Sequence, residues 1–397
     1  MTREYPPDTQ WGGQAISTSD MARVLSSGGN DVHVFCQAVT KQSVSYDGRA
    51  IVHRVGTNQG KYSIRASLNY AVYCLVALWR LPSSKEPQTV EGFLYGIDIF
   101  LFSLLKSLRF SKAKVVLHAH GSLRSALRFS RSYKGSLATI VDELLIRLGD
   151  FTSRHAGIVI AISPEMHSEL IRLSRVDPAR VVTILNPRDS SRYQFEDSDI
   201  KKRIGLDSQC KIVLAAGRLE RRKGFHVLCR SIPAVIRAFP NAKFVLVGQD
   251  TPLDYPFKSF KEYLQSICSR LGCSQAIVFI DSLSDHELVQ LYSASSVVTS
   301  PSLYEISTSV PIEAMLCGRP VVVTKTGLSS EFSLDGLNGI LVDPDDSQEL
   351  SDAIIKMLSL SPEQSEQVAK LNRHIIEDKF SFSRWRERIL DLHKFKS

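Results

Sequence analysis

Two glutamates, Glu305 and Glu313, are separated by seven residues and could both face one ligand. They lie in the segment Pro301–Gly327, where a β-branched run ends in a polar loop and a helical pattern begins near Ser309. A carboxylate accepts two hydroxyl hydrogen bonds at once, so neighbouring hydroxyls of a sugar or a ribose are suitable partners. An alternative stays open, in which Glu313 serves the dipole of the helix and Glu305 is an ordinary loop charge.

The residues between the two glutamates add backbone donors. Pro311 suits the first turn of the predicted helix, and Gly318 suits its end. The amides of Ser307, Thr308 and Ser309 would then lie unpaired at the positive end of this helix, where they could bind a phosphate or a sugar oxygen. The pattern predicts an oxygen-rich ligand at this loop.

A basic turn is the second candidate for chemistry. The segment Gly217–Gly224 reads GRLERRKG and connects a predicted strand to a predicted helix. Arg218 leaves the strand end and Lys223 meets the helix start, so both could converge on a diphosphate and stabilise its charge as it departs. We interpret Arg221 and Arg222 as a solvated basic turn, an interpretation that stays open for the other two cations.

A glycine pair near the start of the chain is a weaker candidate. Gly12 and Gly13 follow Tyr5-Pro6-Pro7, and a glycine lets the backbone approach a ligand closely. Gly13 could therefore bring an amide to a phosphate, although most glycine pairs are simple turns.

Two histidines, His118 and His120, follow the predicted strand 114–117 at a place where ligands are expected. A histidine pair can indicate a metal site, but no further Cys, His or Asp stands at ligand spacing. Because alternate strand residues point to opposite faces, we expect His120 to face the ligand and do not expect a metal pair.

Two acidic patterns also deserve comparison with metal sites. Asp343-Pro344-Asp345 and Asp197-Ser198-Asp199 both have the Asp-x-Asp spacing that can hold a divalent ion. The first lies in an evident turn before a helix and the second in a polar linker, so we predict no metal at either.

A parallel sheet is the framework that could bring these residues to one edge. In the second half of the chain, short β-branched runs alternate with longer stretches of helical period, which is typical of βαβ units. The predicted strands are 211–216, 243–248, 276–280, 296–300, 320–324 and 339–342, and the predicted helices are 225–239, 257–271, 285–294, 309–317 and 348–358. Both candidate motifs follow strand ends, where ligands of open α/β sheets lie.

Length and composition indicate two domains. A chain of 397 residues with 43% hydrophobic residues exceeds what one core usually needs, and the first half repeats the α/β alternation less regularly. We predict an N-terminal domain at 1–190, a polar linker at 191–209, a C-terminal domain at 210–378 and a terminal helix within 379–397. The opening segment MTREYPPDTQWGG contains no buried strand, so the first domain lacks its usual first strand unless the true start lies upstream.

Cysteines, apolar segments and charge restrict the class of protein. The seven cysteines are scattered without zinc spacing, which favours reduced thiols, and the longest apolar segments are shorter than the roughly 20 residues of a membrane span. The net charge is +8, and part of it forms a basic segment. Its cations are Lys106, Arg109, Lys112, Lys114, Arg124, Arg128, Arg131 and Lys134. This segment is either a solvated face or a surface for anionic lipid, nucleic acid or a phosphorylated substrate.

The order and spacing of these motifs resemble the retaining glycosyltransferases of family four, which have the GT-B fold of two Rossmann-like domains facing a cleft. The resemblance covers nearly the whole chain. It runs through YPPDTQWGG, LHAHG, ISP, ILNP, GRLERRKG, LVGQD and the Glu-x7-Glu of Glu305 and Glu313. The chain departs from the family pattern at Ser307-Thr308-Ser309, where a Phe-Gly-Leu-like run is usual, and near Asp281, where the usual glycine is missing.

The resemblance implies a role for each matching residue. Arg218 and Lys223 would bind the diphosphate of the donor and Gly13 would approach its phosphates. Glu313 would bind the ribose hydroxyls, while Glu305 and the amides after it would hold the donor sugar. His120 would lie near the reacting sugar, Asp281 and Leu283 would frame the nucleobase, and the terminal helix from Phe382 would cross back to the first domain.

The expected activity follows from these roles. A sugar would pass from a nucleoside diphosphate to a hydroxyl of a glycan or a lipid-linked acceptor, with retention and without a metal or other cofactor. Polysaccharide or glycolipid synthesis is the expected setting, with no nucleic acid partner. We expect a cytoplasmic protein that is a candidate for peripheral binding to the inner face of an anionic membrane. The alternatives are a nucleotide-sugar epimerase, a sugar phosphorylase, or a glycan-binding protein that has lost catalysis.

Overall fold

The structure is a computed structural model that describes residues 1–2, 5–6, 13–38, 42–57, 70–76, 88–94, 97–107, 112–121, 124, 136–253, 256–332 and 334–394. Two compact units divide the chain. Unit one comprises the described residues of 1–124, 134–186 and 382–397, and unit two comprises those of 187–381. The chain therefore passes from one unit to the other after Asn186 and again after Ser381.

Unit one contains two small sheets. Its strands are β1 (His33–Ala38), β2 (Ser43–Asp47), β3 (Ala50–Thr57), β4 (Thr89–Phe93), β5 (Lys114–Ala119), β6 (Ile158–Ala161) and β7 (Val181–Thr183). Strands β4, β5, β6 and β7 form a parallel sheet in that order. In the other sheet β3 is central, parallel to β1 and antiparallel to β2. The apolar runs of β5 and β6 are almost wholly buried, as expected for parallel strands covered on both faces.

The first residues of the chain contact both sheets of unit one. The amide of Thr2 donates a hydrogen bond to the carbonyl of Phe35 in β1 at 3.0 Å. The amino group of Met1 donates to the carbonyl of Glu91 in β4 at 2.6 Å. Among the described residues, no strand precedes the first helix, α1 (Gly13–Ser27). Residues 70–76 are also helical, and the longer helices described before the unit boundary are α2 (Ile97–Ser107), α3 (Ser136–His155) and α4 (Pro164–Arg172).

Unit two is built on one six-stranded parallel sheet. Its strands are β8 (Lys211–Ala216), β9 (Ala242–Val247), β10 (Ile277–Ile280), β11 (Val297–Ser300), β12 (Val321–Thr324) and β13 (Gly339–Val342), in the order β10-β9-β8-β11-β12-β13. The main helices are α5 (Ile200–Arg203), α6 (Phe225–Ala238), α7 (Phe260–Arg270), α8 (Asp285–Ala294), α9 (Val310–Leu316), α10 (Ser347–Leu358) and α11 (Pro362–Lys379). This architecture confirms the predicted α/β class with parallel sheets.

Helices α6, α7 and α10 cover the sheet of unit two because each has an apolar face. Phe225, Leu264 and Ile354 come from these three helices and belong to one buried cluster with Val213 and Phe244 of the strands. Burial of such side chains is worth about 1.5–3 kcal/mol each, so this core holds the strand ends in fixed relative positions. The strand ends are where the candidate residues lie.

The predicted linker 191–209 is not a spacer, because these residues pack within unit two. Ile200 is buried, and Arg373 of α11 donates hydrogen bonds to the carbonyls of Ser190 and Tyr193 at 3.2 and 3.1 Å. The side chain of one distant arginine thus satisfies the backbone of a polar segment, which a local sequence pattern does not reveal.

The last helix, α12 (Phe382–His393), belongs to unit one. Its Trp385 and Ile389 are buried in a cluster with Val24 of α1, Val116 of β5 and Ile160 of β6. The helix therefore covers the same face of the β4–β7 sheet as α1 does. Across the described parts of the chain, every helix is too short or too polar to span a bilayer.

Candidate functional site

The basic turn of unit two packs directly against the loop that follows β11. Gly224 has a φ of +70°, and a Cβ atom there would stand 1.8 Å from the carbonyl oxygen of Pro301. The amide of Leu303 donates a hydrogen bond to the carbonyl of Arg222 at 2.8 Å. Only glycine combines this backbone conformation with so close an approach. The turn after β8 and the loop after β11 are consequently held side by side.

This packing places Glu305 between two cations of the basic turn. Nζ of Lys223 lies 2.5 Å from Oε2 of Glu305, and Nη1 of Arg222 lies 3.0 Å from Oε1. Glu305 is only 7% exposed, while Arg222 also pairs with Glu220 at 2.7 Å. Burial alone would lower the pKa of Arg222, but the charges of Glu305 and Glu220 outweigh it and raise that pKa. The three residues Arg222, Lys223 and Glu305 form what we call the Glu305 cluster.

The interpretation of Arg222 as a solvated residue is therefore wrong. Arg221, Arg222 and Lys223 form one turn of 3₁₀ helix, and this turn directs Arg222 toward Glu305. Arg218 is different, because its side chain is 65% exposed and its nearest ion-pair partner among the described residues is Glu220 at 3.8 Å. In the sequence, the signal for the close approach of this turn to the loop after β11 is Gly224, the glycine that ends GRLERRKG.

Glu313 is held by two tyrosines. The hydroxyl of Tyr292 in α8 donates to Oε2 at 2.9 Å, and the hydroxyl of Tyr193 donates to Oε1 at 3.3 Å. Burial, and then the charge of Glu313, raises the pKa of both tyrosines. Both hydroxyls therefore stay protonated and donate to the carboxylate. Glu313 is 8% exposed, and neither tyrosine was singled out from the sequence.

The residues between the two glutamates are mostly enclosed. Thr308 is buried, Ser307 and Ser309 are half-buried, and Ser309 precedes α9 without capping it by its side chain. Pro311 lies in the first turn of α9, as predicted. The helix is only seven residues long, so its dipole contributes little beyond its first turn.

Asp281 and Leu283 follow β10, which is an edge strand of the sheet of unit two. Asp281 is exposed and pairs with Nζ of Lys261 at 3.0 Å, and Leu283 is half-buried. They lie at the carboxyl edge of the sheet, as the Glu305 cluster does, but two strands from β8.

His120 and Gly13 belong to unit one. Gly13 is the first residue of α1, and His120 directly follows β5. Burial, and then the nearby His118, lowers the pKa of His120 to about 3, so its imidazole is neutral near pH 7. The two rings lie 6.2 Å apart on the same side of the strand, so the expectation of opposite faces is wrong for residues two apart.

No group of three or more His, Cys, Asp or Glu side chains is arranged to hold a metal ion in the described ranges. In the Asp-x-Asp segments, Asp343 pairs with Lys325 at 2.8 Å and Asp345 approaches Arg230 at 3.6 Å. The charges that the structure gathers in unit two are instead a carboxylate with two cations and a carboxylate with two hydroxyls. This set suits a ligand with a phosphate and several hydroxyls.

Two family models together match most of the chain. The model described as glycosyl transferases group 1 matches residues 196–375. The model described as glycosyltransferase family 4 matches residues 11–192. The two matches fall on unit two and on unit one.

Curated relatives align with this chain at low identity. Alpha-maltose-1-phosphate synthase of Mycolicibacterium smegmatis is 26% identical over 99% of this chain and 98% of its own. An uncharacterised glycosyltransferase of Methanocaldococcus jannaschii is 29% identical over 51% of this chain and 50% of its own. Apart from the first of these, the chain spans about half the length of the curated relatives it matches.

Solved structures share the fold over nearly the full length. Sucrose-phosphate synthase from Thermosynechococcus elongatus has a TM-score of 0.78 at 19% identity, covering 96% of this chain and 93% of its own. HepE of Anabaena in complex with UDP-glucose has a TM-score of 0.71 at 22% identity, covering 99% of this chain and 98% of its own. The structural neighbours are GT-B glycosyltransferases, which confirms the predicted fold class.

Proposed function

Since the chain belongs to the group 1 glycosyltransferases, we propose that it transfers a sugar from a nucleoside-diphosphate sugar to a hydroxyl group, with retention and without a metal. The observation that carries the proposal is the Glu305 cluster, in which Lys223 and Arg222 meet one buried carboxylate at the carboxyl edge of a parallel sheet. A structural relative bound to UDP-glucose supports this class of donor.

The cations would stabilise the diphosphate as it leaves. Lys223 is already fixed by Glu305, whereas the exposed Arg218 is available to move onto a phosphate. One fixed cation and one that moves onto the phosphate can together supply the charge stabilisation that a metal supplies elsewhere. We therefore propose a reaction that needs no metal, and removal of metals by EDTA should leave the rate unchanged.

The two carboxylates would bind hydroxyls of the donor. Glu313 has one oxygen on the buried Tyr292 and the other on the half-buried Tyr193, so a ribose hydroxyl could replace Tyr193 at the second oxygen. Glu305, with the amides of Ser307, Thr308 and Ser309, would bind the donor sugar. Asp281 and Leu283 would frame the base, and Gly13 would approach the phosphates.

The reaction needs a base for the acceptor hydroxyl. We propose that a diphosphate oxygen accepts this proton while the acceptor oxygen bonds to the anomeric carbon and the bond from that carbon to the diphosphate breaks. His120 would lie near the reacting sugar as a neutral imidazole, able to donate or accept one hydrogen bond. Because the acceptor oxygen would attack on the face from which the diphosphate leaves, the proposed transfer retains the anomeric configuration.

A thermal-shift screen of nucleotide sugars is the first test. A ligand at 100 times its Kd stabilises the folded protein by about 2.7 kcal/mol, which is easily measured. We expect stabilisation by one nucleoside diphosphate and its sugar, followed by calorimetry with UDP, GDP and ADP. Binding of none of the three would contradict the proposal and favour a glycan-binding protein that has lost catalysis.

An epimerase or a sugar phosphorylase is the enzymatic alternative. Labelled donor separates these reactions, because transfer requires an acceptor, epimerisation does not, and phosphorolysis requires inorganic phosphate. Anomeric analysis of the product by NMR then decides between retention and inversion. Product formation without an acceptor would contradict a transferase.

For the acceptor we propose a glycan or lipid-linked hydroxyl in polysaccharide or glycolipid synthesis, reached by a cytoplasmic protein bound to an anionic membrane. The basic segment from Lys106 to Lys134 supports this surface by its charge. Relatives named as synthases of maltose-1-phosphate and sucrose phosphate support a phosphorylated acceptor as the second candidate.

Vesicle binding tests the membrane proposal. We expect binding to phosphatidylglycerol vesicles at low salt and release at about 0.5 M salt, because screening weakens contacts between exposed charges. Charge reversal at Arg128, Arg131 and Lys134 should abolish binding. The matched control reverses three exposed cations of unit two, Lys202, Arg237 and Lys258. Equal loss in both triple variants, or no binding by the wild type, would contradict it.

A further inference from the structure

Glu91 of β4 joins two histidines from different elements of unit one. Its Oε2 lies 2.7 Å from Nε2 of His118 in β5, and its Oε1 lies 2.6 Å from Nε2 of His393, the last residue of α12. Both histidines are buried. The carboxylate thus connects the end of the terminal helix to the sheet, and no part of the proposed reaction uses it.

The hydrogen-bond geometry makes His393 a cation. Its Nδ1 lies 2.7 Å from the carbonyl oxygen of Ile389, which can only accept, so Nδ1 carries a hydrogen. Its Nε2 faces the carboxylate and must also donate. Burial alone would lower the pKa of His393, but Glu91 outweighs burial and raises it. Burial alone would raise the pKa of Glu91, but the two histidines outweigh it and lower that pKa.

The same strand reaches His120. Glu91 is in register with Val116, and Phe93 is in register with His118. Side chains two residues apart share a face, so Glu91 meets His118 diagonally and Phe93 meets His120 diagonally. The ring of Phe93 packs edge-on against His120 with centroids 5.0 Å apart, and it lies 5.5 Å from His118. A movement of His118 would therefore act on the ring of His120 both directly and through Phe93.

We propose that Glu91 is a positioning residue, which ties the last turn of α12 to β5 through His393 and His118 and thereby fixes the ring of His120. The tie itself is independent of the reaction. Its importance for catalysis rests on the proposed function, in which His120 lies near the reacting sugar.

The stability that Glu91 gains from its contacts with His393 and His118 is confined to a defined pH range. Lys114 and His118 of β5, His120 just after that strand and the amino group of Met1 on the carbonyl of Glu91 lie around these contacts on the sheet side. On the helix side, α12 carries Asp391, with Lys394 just beyond it, and the exposed Arg384, Arg386, Glu387 and Arg388. The raised pKa of His393 gives stability that is complete below its ordinary value of 6.5 and is lost as the pH rises through the raised value. The lowered pKa of Glu91 gives stability that is complete above 4.5 and is lost only in strong acid.

Histidine NMR of the full chain with Glu91→Gln is the decisive measurement. We expect the pKa of His393 to fall below its wild-type value and the ring signals of His120 to shift. His226, buried in unit two, should be unchanged and serves as internal reference. Glu143→Gln, which removes an exposed carboxylate of α3, is the matched control. If Glu91→Gln does not fold, His393→Gln tests the same shift of the His120 signals.

Kinetics with the donor found in the screen complete the test. Loss of positioning should lower kcat by roughly tenfold to a hundredfold in Glu91→Gln and leave KM for the donor nearly unchanged. An unchanged pKa of His393 would overturn the tie, and a changed pKa with unshifted His120 signals would overturn the positioning role. If no nucleotide sugar is turned over, the proposed function fails, but the NMR result still decides the tie.

Discussion

At the scale of single residues, the Glu305 cluster shows how charge is placed before any ligand arrives. Glu305 is nearly buried, and its two oxygens are taken by Lys223 and Arg222. A buried carboxylate without such partners would be strongly disfavoured. The cations need the carboxylate equally, because both are mostly shielded from water. Each partner therefore fixes the other in the position that the donor would meet.

Substitution of Glu305 should destabilise unit two. Glu305→Gln removes the charge that holds two cations, and since these keep about a fifth of their exposure, we expect a loss of about 2–3 kcal/mol, near the lower limit for buried pairs. Urea unfolding measures it. The exposed pair of Glu143 and Arg147 is the control, and Glu143→Gln should cost about 0.3–0.5 kcal/mol. Equal urea midpoints for Glu305→Gln and Glu143→Gln would show that the cluster contributes no more stability than an exposed pair.

Arg218 and Arg221 are a matched pair for testing the diphosphate site. Both are arginines of the same turn and both are exposed. Arg218→Ala should lower the transfer rate by roughly 10²–10³, the usual loss for one charge-stabilising group. Arg221→Ala should stay within about twofold of the wild type. A normal rate in Arg218→Ala would remove this residue from the site.

At the scale of elements, the sequence predicted unit two well because its pattern is local. The prediction for 211–216 agrees with β8, and 285–294 agrees with α8, since β-branched runs and a Ser284 capping box mark their bounds. All six strands of this sheet were predicted within one residue at each end. Each of them is a short, β-branched apolar run between turn residues, and this length and composition favour a buried parallel strand over a helix.

Helix α11 was missed although its Ser361 capping box is a local signal, whereas strand β4 and the two tyrosines at Glu313 were missed because they depend on distant partners. Strand β4 reads TVEGF, and a central glutamate with a glycine argues against a buried strand until His118 and His393 are known to meet Glu91. Tyr193 and Tyr292 meet Glu313 from segments far apart in the chain. Periodicity carries no information on such pairings.

The approach of two elements at Gly224 can be tested by a matched pair of substitutions. Gly224→Ala adds a Cβ that would meet the carbonyl of Pro301, whereas Gly272→Ala adds one to a similar backbone, φ +66°, with nothing within 4 Å. Both substitutions place an alanine in the left-handed conformation, which costs about 1–2 kcal/mol of stability. Gly224→Ala should lose clearly more stability than Gly272→Ala in thermal unfolding. Equal losses would mean that the turn and the loop can separate without cost.

At the scale of the whole molecule, the seven cysteines are distributed over both units and all are buried. Cys36 and Cys74 lie in unit one. Cys210, Cys229, Cys268, Cys273 and Cys317 lie in unit two. Burial first of all raises the pKa of Cys74 and of Cys317 to about 12, so these groups remain thiols rather than reactive thiolates near neutral pH.

Thiol labelling should therefore report unfolding of each unit. We expect a disulfide reagent such as Ellman's reagent to react with almost no thiol of the native protein at pH 8, and with seven thiols in denaturant. If the units open separately, the reaction in intermediate denaturant should have one phase of two thiols and one of five. Rapid labelling of several thiols in the native protein would contradict the burial.

Unit one is assembled from both ends of the chain, and this has a consequence for synthesis on the ribosome. Trp385 and Ile389 of α12 complete its buried cluster with Val116 and Ile160. Translation of residues 187–381 takes about 10–40 s at 5–20 residues per second, and during that time this face of the sheet has no α12 to cover it. The described residues of unit two, which lie between 187 and 381, come from one stretch of the chain and can fold earlier. Chaperones should therefore hold the nascent chain at unit one and release it only after α12 has emerged.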